Sequence, residues 1–536
     1  MASSPTENSF TEFLMHFLIF ASIFLFIVSI RRKDISQGKY SFPSGPFKFP
    51  LIGNLIGLRN GEEYLTSLVP KYGDVFTIYM GSIPVVVVNS TKTAMELLSE
   101  GHLFSERAPT PVLNNYFKGR GLAGAHHPNG FWKDQRKFVT SILRTLSGSG
   151  YKTFETKLQE EIKYVKNIIK QKADGRPFDI LPSLQMTSAN FVWSMALGKR
   201  FNHTEALHKK LVNLIFESLR CMKYVTGSLV FPIMLKIPGN GVSRFFSYLD
   251  EVHELLAQQI TSCRECLVKN KEPEHLVDFF LKEIEKYDDP SARPAFLNED
   301  NLKVVLQDLF FAGIDTTSTT IYWLFLHLAR NPTMQRKAFA AIQSVTEDKD
   351  IVELEDFGKL PYVNALIMET LRASALVPII ARSNIHEFEF RGHHIPANTW
   401  FLFNTHNMMM DESTWCSPNS FVPERFLDEG GNFVVNQNFK PFGFGRRNCQ
   451  GEVLAKKEMF LLVSSLIKSF EFQLEDENNP SPLEPQTGLI RSPQPYRLRI
   501  RDRCASHTDA ATDLKSLVIG KNYDCFQKFE SAQLNI

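Results

Sequence analysis

The 536-residue chain is poor in cysteine and has almost no net charge. Its seven cysteines are scattered and odd in number, which argues against a disulfide framework and indicates a reducing compartment. The formal charge of +2 gives no sign of a nucleic-acid partner or an acidic polymer substrate, so any basic surface must be local. Internal repeats, long low-complexity linkers and a glycine-rich flavin- or nucleotide-binding motif are also missing.

Cys263 and Cys266 have the CxxC spacing that is found in metal sites and redox disulfides. No second CxxC and no histidine cluster accompanies them, and the surrounding segment has a helical pattern. We therefore interpret this spacing as a coincidence rather than as a site.

One long apolar run stands near the N-terminus, from Phe13 to Ile30. As a helix of 18 residues it would span about 27 Å, close to the ~30 Å hydrocarbon core of a bilayer. Basic residues 31–33 follow the run at once, while Glu7 and Glu12 precede it, and no small-residue cleavage site ends it. We predict an uncleaved signal-anchor with a luminal tail and a cytosolic body; a buried core helix is the alternative.

The body after this segment has mainly helical patterns. A linker at 31–42 leads into a proline-rich, extended stretch that starts at Pro43. Helical patterns are clearest in Tyr151 to Lys172, Phe245 to Lys269, Leu302 to Arg330 and Leu360 to Ser374. Strand-like patterns occur in 74–89, Glu387 to Phe403 and Tyr496 to Arg501. We predict one mostly α domain with a minor β-sheet and a flexible tail at 504–536.

Residues Phe442 to Gly451 read FGFGRRNCQG and precede an apolar helical pattern. A cysteine thiolate needs an electropositive surrounding rich in backbone amides, which a helix N-terminus and close-approaching glycines supply. The segment resembles the heme-binding loop of the cytochrome P450 family, F-x-x-G-x-R-x-C-x-G. In place of the apolar residue that usually follows the family's cysteine, this chain has Gln450.

The resemblance covers 43–503 and implies the cytochrome P450 fold with heme b (iron protoporphyrin IX) as cofactor. Cys449 would be the thiolate ligand to iron, and Phe442 would shield its sulfur. Gly445 and Gly451 would let backbone amides approach the sulfur and the porphyrin, and Arg447 would pair with a heme propionate.

Residues 309–320, LFFAGIDTTSTT, lie within the long helical pattern and resemble the oxygen-binding stretch of the family's central helix. Ala312 and Gly313 are small and would leave room beside the iron. Asp315 and Thr316 would form the catalytic proton relay, in which a carboxyl group resupplies a proton through a hydroxyl group. A polar helix face is the structural alternative.

Glu369 and Arg372 have the family's ExxR spacing, which places them on one helix face. Arg425 belongs to a downstream PERF segment and would close a buried Glu–Arg–Arg network with a structural role. Trp132 and Arg136 match the family's W-x-x-x-R, and together with Arg382 they would bind the heme propionates.

A basic proximal surface would dock an acidic electron donor. Its members would be Lys133, Arg136, Lys137, Arg446, Lys456 and Lys457. A solvated basic helix face is the alternative for Lys133 and Lys137. Two sequons, at Asn89 and Asn202, would be inert in a cytosolic body and therefore test the predicted topology.

The resemblance implies a monooxygenase similar to the animal microsomal group that hydroxylates steroids, fatty acids and xenobiotics. The predicted location is the endoplasmic reticulum membrane, with a single span. Since the chain has no flavin motif, electrons would come from an NADPH-dependent flavoprotein reductase, with cytochrome b5 as an auxiliary. A lipophilic substrate would meet Phe117, Leu376, Val377, Ile380 and the stretch Ile215 to Pro232.

Two other functions remain open. A heme-thiolate isomerase or dehydratase would rearrange peroxides without a reductase, although such relatives tend to lose the acid–threonine pair. A non-catalytic heme protein would only bind or sense a ligand, and it would consume no NADPH with any lipophilic compound.

Overall fold

The computed structural model describes residues 39–99, 103–107, 110, 114, 116–124, 131–148, 152–230, 232–267, 272–347, 349, 351–486 and 488–503. Within these ranges, no helix is both long and apolar enough to cross a bilayer. The predicted membrane segment 13–30, its flanks 1–12 and 31–38 and the predicted tail 504–536 lie outside the described residues.

The described residues are mostly helical, which confirms the predicted fold class for the body of the chain. The α-helices are α1 (Gly61–Tyr72), α2 (Thr91–Ser99), α3 (Phe131–Ser147), α4 (Lys152–Lys172), α5 (Leu181–Leu197), α6 (Ala206–Val230), α7 (Gly241–Cys266), α8 (Leu276–Glu285), α9 (Glu299–Arg330), α10 (Pro332–Thr346), α11 (Pro361–Ser374), α12 (Thr405–Met410) and α13 (Glu452–Ser469). Short 3-10 helices lie at Gly57–Asn60, Pro232–Lys236, Pro290–Ala292, Leu354–Lys359, Pro423–Phe426 and Gly445–Arg447.

The strands form small sheets beside the helices. They are β1 (Val75–Met80), β2 (Ile83–Val88), β3 (Ile379–Ser383), β4 (Phe388–Phe390), β5 (His393–Ile395), β6 (Trp400–Asn404), β7 (Phe470–Leu474) and β8 (Leu498–Asp502). The largest sheet has the order β1-β2-β6-β3, with β2 and β6 parallel. The predicted hairpin at 74–89 is therefore the edge of a sheet that the chain completes about 300 residues later.

Helix α9 crosses the middle of the domain and packs against α5, α7, α11 and α13. Its second half, from Thr317 to Ala329, is buried throughout, as expected of a helix that is apolar on nearly all sides. It begins three residues before the predicted Leu302 because the side chain of Asn298 caps it by accepting the amide of Asn301. The polar first turn hid this start from the hydrophobic pattern.

Candidate active site

A cavity of about 580 Å³ lies between the first half of α9, strand β3 and the loop that carries Cys449. Most of the residues predicted for the site line it: Phe117, Ala312, Asp315, Thr316, Leu376, Val377, Ile380, Arg382, Phe442, Arg447 and Cys449. From the predicted stretch 215–232, Leu219 and Met222 contribute to its wall. The cavity thus brings together predicted residues that are up to 332 positions apart in the sequence, Phe117 and Cys449.

Five of the residues predicted to bind the cofactor do not line this cavity: Trp132, Arg136, Gly313, Gly445 and Gly451. A Cβ atom at Gly313 would meet Val192 Cγ2 at 2.7 Å, so this glycine lets α9 approach α5. Its small size is needed for helix packing, whereas the neighbouring Ala312 is the small residue that faces the cavity.

The loop before Cys449 is folded by glycines with positive φ angles. Gly443 has φ of 81° and Gly445 has φ of 58°, a region that other residues rarely adopt. This bend brings the Cys449 amide to the Phe442 carbonyl, with N···O at 2.8 Å. Gly451 has an ordinary negative φ, and a Cβ there would lie 3.9 Å from the sulfur. Steric demand alone therefore does not require glycine at 451.

The Cys449 thiol is open to the cavity and otherwise surrounded by protein. This burial raises the pKa of the Cys449 thiol, while the backbone amide of Gly451 and the charge of Arg136 lower it. A thiol in such a place is a weak acid until a cation binds it, and coordination to a metal ion deprotonates it. The environment fits a metal-ligating cysteine better than a free nucleophile.

Four arginines beside the cavity form what we call the arginine cluster: Arg107, Arg136, Arg382 and Arg447. Burial, together with mutual repulsion, lowers the pKa of Arg107 to about 10, that of Arg447 to about 9 and that of Arg382 well below its ordinary value. Buried like charges of this kind favour an anionic ligand.

The hydrogen bonds of the cluster end mainly on backbone carbonyls. Arg107 donates to the carbonyls of residues 123 and 381 at 2.8 Å each, and Arg382 Nη2 donates to the Arg447 carbonyl at 3.0 Å. Arg447 Nη2 lies 3.7 Å from the Glu106 carboxylate. Asp308 is a second carboxylate near the cluster, and its charge raises the pKa of Arg107 and Arg447. Four guanidiniums beside these two carboxylates make the surroundings positive, which suits the carboxylates of a ligand.

Two residues of α3, Trp132 and the cluster member Arg136, hold other residues beside the cavity in place. The Trp132 indole donates to the Leu122 carbonyl at 3.0 Å, and the guanidinium of Arg447 stacks 3.8 Å from the centroid of its ring. Arg136 Nη2 donates to the Asn448 carbonyl at 2.6 Å and to its side-chain oxygen at 2.8 Å. In this structure Trp132 holds Arg447, and Arg136 holds the loop residue next to Cys449.

On α9, the acid and hydroxyl residues lie one after the other on the cavity wall. Burial raises the pKa of Asp315 to about 6, and Thr319 Oγ1 donates to its carboxylate at 3.2 Å. The Thr316 hydroxyl donates to the Ala312 carbonyl at 2.5 Å. The helix continues as an α-helix through this stretch.

Glu369 and Arg372 form a bidentate ion pair on α11, with N···O distances of 2.7 and 2.8 Å, and both side chains are fully buried. Arg425 Nε lies 3.3 Å from the same Glu369 carboxylate, which also accepts the Val422 amide at 2.8 Å. Arg372 donates further to the Met409 carbonyl at 2.9 Å. The group is satisfied by protein atoms and does not line the cavity.

Sequence reasoning missed three charged residues of the cavity, Arg107, Arg120 and Asp308. Asp308 accepts the amides of Leu122 and Ala123 at 2.5 and 2.9 Å, and burial raises its pKa to about 6. It stands one helical turn before Ala312, a spacing that could have identified it. Arg107 lies in an irregular segment without periodicity, so the sequence offered no comparable signal.

Gln450, the departure from the family's pattern, is tied to α3. Its side-chain amide donates to the Thr140 hydroxyl at 2.8 Å and to the Arg136 carbonyl at 3.3 Å. Since Arg136 holds Asn448, both neighbours of Cys449 are bonded to the same helix.

The residues present fit an iron porphyrin. A metal-ligating thiol opens into the cavity, and the arginine cluster beside it matches the two carboxylates that such a cofactor carries.

Comparison with known proteins agrees with this geometry. The family model described as Cytochrome P450 matches residues 43–500. The chain is 33% identical to Cytochrome P450 2J5 of Mus musculus, covering 89% of this chain and 93% of the relative. It is 32% identical to Cytochrome P450 2D9 of Mus musculus, covering 90% and 96%, and 31% identical to Cytochrome P450 2U1 of Bos taurus, covering 86% and 89%. The chain therefore belongs to the cytochrome P450 family, whose members are monooxygenases that bind heme b through a cysteine thiolate.

Proposed function

We propose that this cytochrome P450 inserts one oxygen atom from dioxygen into a lipophilic small molecule, with electrons from an NADPH-dependent flavoprotein reductase. The observation that carries the proposal is a single cavity that joins the Cys449 thiol to the Asp315–Thr316 wall of α9. The rest of the lining is largely apolar, which favours a lipophilic substrate. The proposed monooxygenase domain is 43–503.

When bound, heme b would supply the iron chemistry that activates dioxygen. Cys449 Sγ is the proposed ligand, and the bent loop from Phe442 to Gly451 holds it at the cavity. The arginine cluster would hold the propionates, with Trp132 positioning Arg447 by stacking. The Glu369, Arg372 and Arg425 group does not line the cavity and would keep the polypeptide around it rigid.

Asp315 and Thr316 would control proton transfer at the α9 wall of the cavity. The pKa of the Asp315 carboxyl, about 6, lies close to physiological pH, so this group can both take up and release a proton there. The Thr316 hydroxyl proton is directed to the Ala312 carbonyl, so Oγ1 can accept a hydrogen bond from water in the cavity. Together they would deliver protons to the reaction while apolar neighbours exclude bulk water.

The substrate would lie between Phe117 on one side and Leu376, Val377 and Ile380 on the other. These side chains and the cavity-facing Ala312 leave an apolar space against the Asp315–Thr316 wall. Their contacts are mainly dispersive, so they would select a substrate by shape more than by polar groups.

The presence of both Asp315 and Thr316 on the cavity wall favours this function over a reductase-independent isomerase or dehydratase. A turnover assay separates them: oxidation should need NADPH, the reductase and dioxygen together. Conversion of a lipid peroxide without NADPH would instead support the isomerase. An absence of NADPH consumption with every lipophilic compound would support a non-catalytic heme protein.

The ligand assignment is tested by Cys449→Ala, with Cys266→Ala as the matched control because Cys266 is exposed at the end of α7. The control should keep the red-shifted absorption band that the reduced carbon monoxide complex of a heme thiolate shows. Cys449→Ala should lose this band. If the band persists in Cys449→Ala, the assignment is wrong.

Thr316→Ala tests the proton relay. We expect more hydrogen peroxide per NADPH consumed, with heme still bound, because the hydroxyl no longer positions water in the cavity. Thr261→Ala on α7 is the control, since its hydroxyl makes the same kind of bond to the carbonyl one turn earlier, at 3.1 Å. Unchanged coupling in Thr316→Ala would contradict the relay.

Electrons would enter from the side of α3 and the Cys449 loop. Lys133, Lys137 and Arg446 are exposed there, whereas Lys457 donates to the Ser147 carbonyl and Lys456 pairs with Glu452. The three exposed cations are the best candidates for docking the acidic reductase, with cytochrome b5 as an auxiliary partner.

We further propose that 13–30 anchors the chain in the endoplasmic reticulum membrane by a single span, with 1–12 luminal, 31–42 a linker, 504–536 a flexible tail and the domain cytosolic. Asn202 provides the test because its side chain is exposed, whereas Asn89 is fully buried and bonded to Asn404. In microsomes Asn202 should carry no glycan, whereas glycosylation there would place the domain in the lumen.

A further inference from the structure

One part of the cavity wall is polar although neither the cofactor nor the proton relay needs it. It is formed by Arg120, on the segment before α3, and by Gln307 on α9, both of which line the cavity. Gln307 is 2% exposed, and its side-chain oxygen accepts a hydrogen bond from His253 Nε2 at 2.6 Å. Among the described residues its amide nitrogen makes no side-chain hydrogen bond, and because Gln307 lines the cavity this donor can reach a ligand there.

Arg120 gives this region a positive charge. Its guanidinium lies 3.2 Å from the Asp300 carboxylate, but that carboxylate also pairs with Lys303 at 2.9 Å, so two cations share one anion. His253 adds no charge near pH 7, because burial lowers its pKa below the ordinary value of 6.5. Asp250, the other carboxylate beside His253, accepts the Tyr116 hydroxyl at 2.5 Å.

The polar region lies at a distance from the reacting end of the cavity. Gln307 precedes Ala312 by five residues and Thr316 by nine on the same helix, or about 8 and 14 Å along its axis. Phe117 and Val304 supply apolar surface on the same wall. A ligand held by its polar end at Arg120 and Gln307 would extend an apolar body towards Ala312 and Thr316.

We propose that Arg120 and Gln307 form a head-group subsite for the carboxylate of a fatty-acid-like substrate. The guanidinium neutralises the head group and the amide donates a hydrogen bond to it, while the apolar chain reaches the Asp315–Thr316 wall. This inference rests on the proposed function, since it names the substrate class of the same cavity. A neutral sterol would gain nothing from the charge of Arg120.

The test uses heme-loaded protein and follows the spin-state shift of the ferric heme on titration with lauric acid and with methyl laurate. Lauric acid should bind about tenfold or more tightly than its ester, the ratio expected for a charge-assisted hydrogen bond. Arg120→Gln should reduce this preference to about twofold or less. Gln307→Leu should weaken the binding of both ligands, because an ester carbonyl can also accept from the amide.

Two further variants separate a specific loss of the subsite from a general loss of folding. Arg220→Gln removes an exposed arginine of α6 that does not line the cavity, and it should keep the full preference. Asp300→Asn removes the carboxylate that competes for Arg120, and it should tighten the binding of lauric acid. Each variant is first checked for the thiolate band of its carbon monoxide complex.

Equal affinities of the acid and the ester in the wild type would overturn the subsite, as would a preference that survives Arg120→Gln. A failure of both ligands to shift the spin state of a protein with an intact thiolate band would also overturn it, while leaving the proposed monooxygenase function in place. Loss of the thiolate band in the wild type itself would refute the proposed function.

Discussion

Two groups of buried arginines in this protein differ in how their charges are compensated. Arg372 and Arg425 share the carboxylate of Glu369, and their remaining donors end on carbonyls such as that of Met409. In the arginine cluster around Arg382 and Arg447, most bonds end on carbonyls. The first group shares one fully buried carboxylate, whereas the second places four guanidiniums beside the carboxylates of Glu106 and Asp308.

The difference separates a structural group from a binding group. A buried charge with its own counter-ion fixes the polypeptide, and removing either partner leaves an uncompensated charge. A buried cluster of like charges stores repulsion that an anionic ligand relieves on binding. The same residue type therefore has opposite roles at two places in the fold, and each comparison below tests that distinction.

The largest effect is expected for Glu369→Gln. Two guanidiniums would lose their shared anion in a fully buried position, which should lower the free energy of unfolding by about 3–5 kcal/mol. Urea denaturation of the heme-loaded protein measures this change. Glu217→Gln is the control, because its ion pair with Arg220 is exposed and should be worth less than about 1 kcal/mol. Similar losses for both variants would remove the distinction between the two groups.

A buried acid that has no cation partner in the described part of the chain extends the comparison. Glu458 on α13 accepts a hydrogen bond from the Ser188 hydroxyl at 2.8 Å, and burial raises the pKa of its carboxyl to about 8. Between the ordinary pKa of 4.5 and about 8, the folded state keeps a proton that the unfolded state releases. Stability should therefore fall as the pH rises across this window and stay level above it.

Glu458→Gln should abolish this part of the pH dependence and be more stable than the wild type at pH 8 by on the order of 2–4 kcal/mol. Urea denaturation at pH 5.5 and pH 8 measures the difference. The wild type and the variant should come closer together at the lower pH. Parallel pH profiles for the two proteins would mean that Glu458 is ionised and has a partner.

Arg382→Met should leave the fold intact and weaken the retention of heme. The variant removes a buried cation from the repelling cluster, so helix content should change little, while one charge-assisted bond to the cofactor is lost, worth about 1.5–3 kcal/mol. The rate of heme transfer to apomyoglobin and the far-ultraviolet circular dichroism measure the two effects. A variant that unfolds but keeps its heme would place Arg382 in the structural group.

The contacts of these two arginine groups could not be predicted equally well from the sequence. Glu369 and Arg372 are three residues apart on one helix, so local geometry alone predicts that they can touch. The loop around Cys449 could also be identified locally, because its motif residues lie within ten consecutive positions. Long helices such as α9 could be predicted from their hydrophobic pattern.

Contacts between residues that are far apart in the sequence could not be predicted in this way. Arg107 reaches the cavity from an irregular segment, and its partners at residues 123 and 381 are set by tertiary packing. Gly313 has no side chain, which lets α9 pack against α5, and the sequence cannot distinguish this role from one at the cavity. The bond between Gln450 and Thr140 spans 310 positions, so no local pattern could predict it.

The smallest effect concerns Gln450, a neutral tie between the Cys449 loop and α3. Gln450→Leu should lower the free energy of unfolding by only about 0.5–1.5 kcal/mol, because the Arg136 bonds to Asn448 remain. Thr140→Val removes the other side of the same bond, so the double variant should cost little more than either single one. A midpoint potential of the heme iron that shifts equally in both single variants would show that the tie positions the thiolate, whereas strictly additive losses would mean that Gln450 and Thr140 act independently.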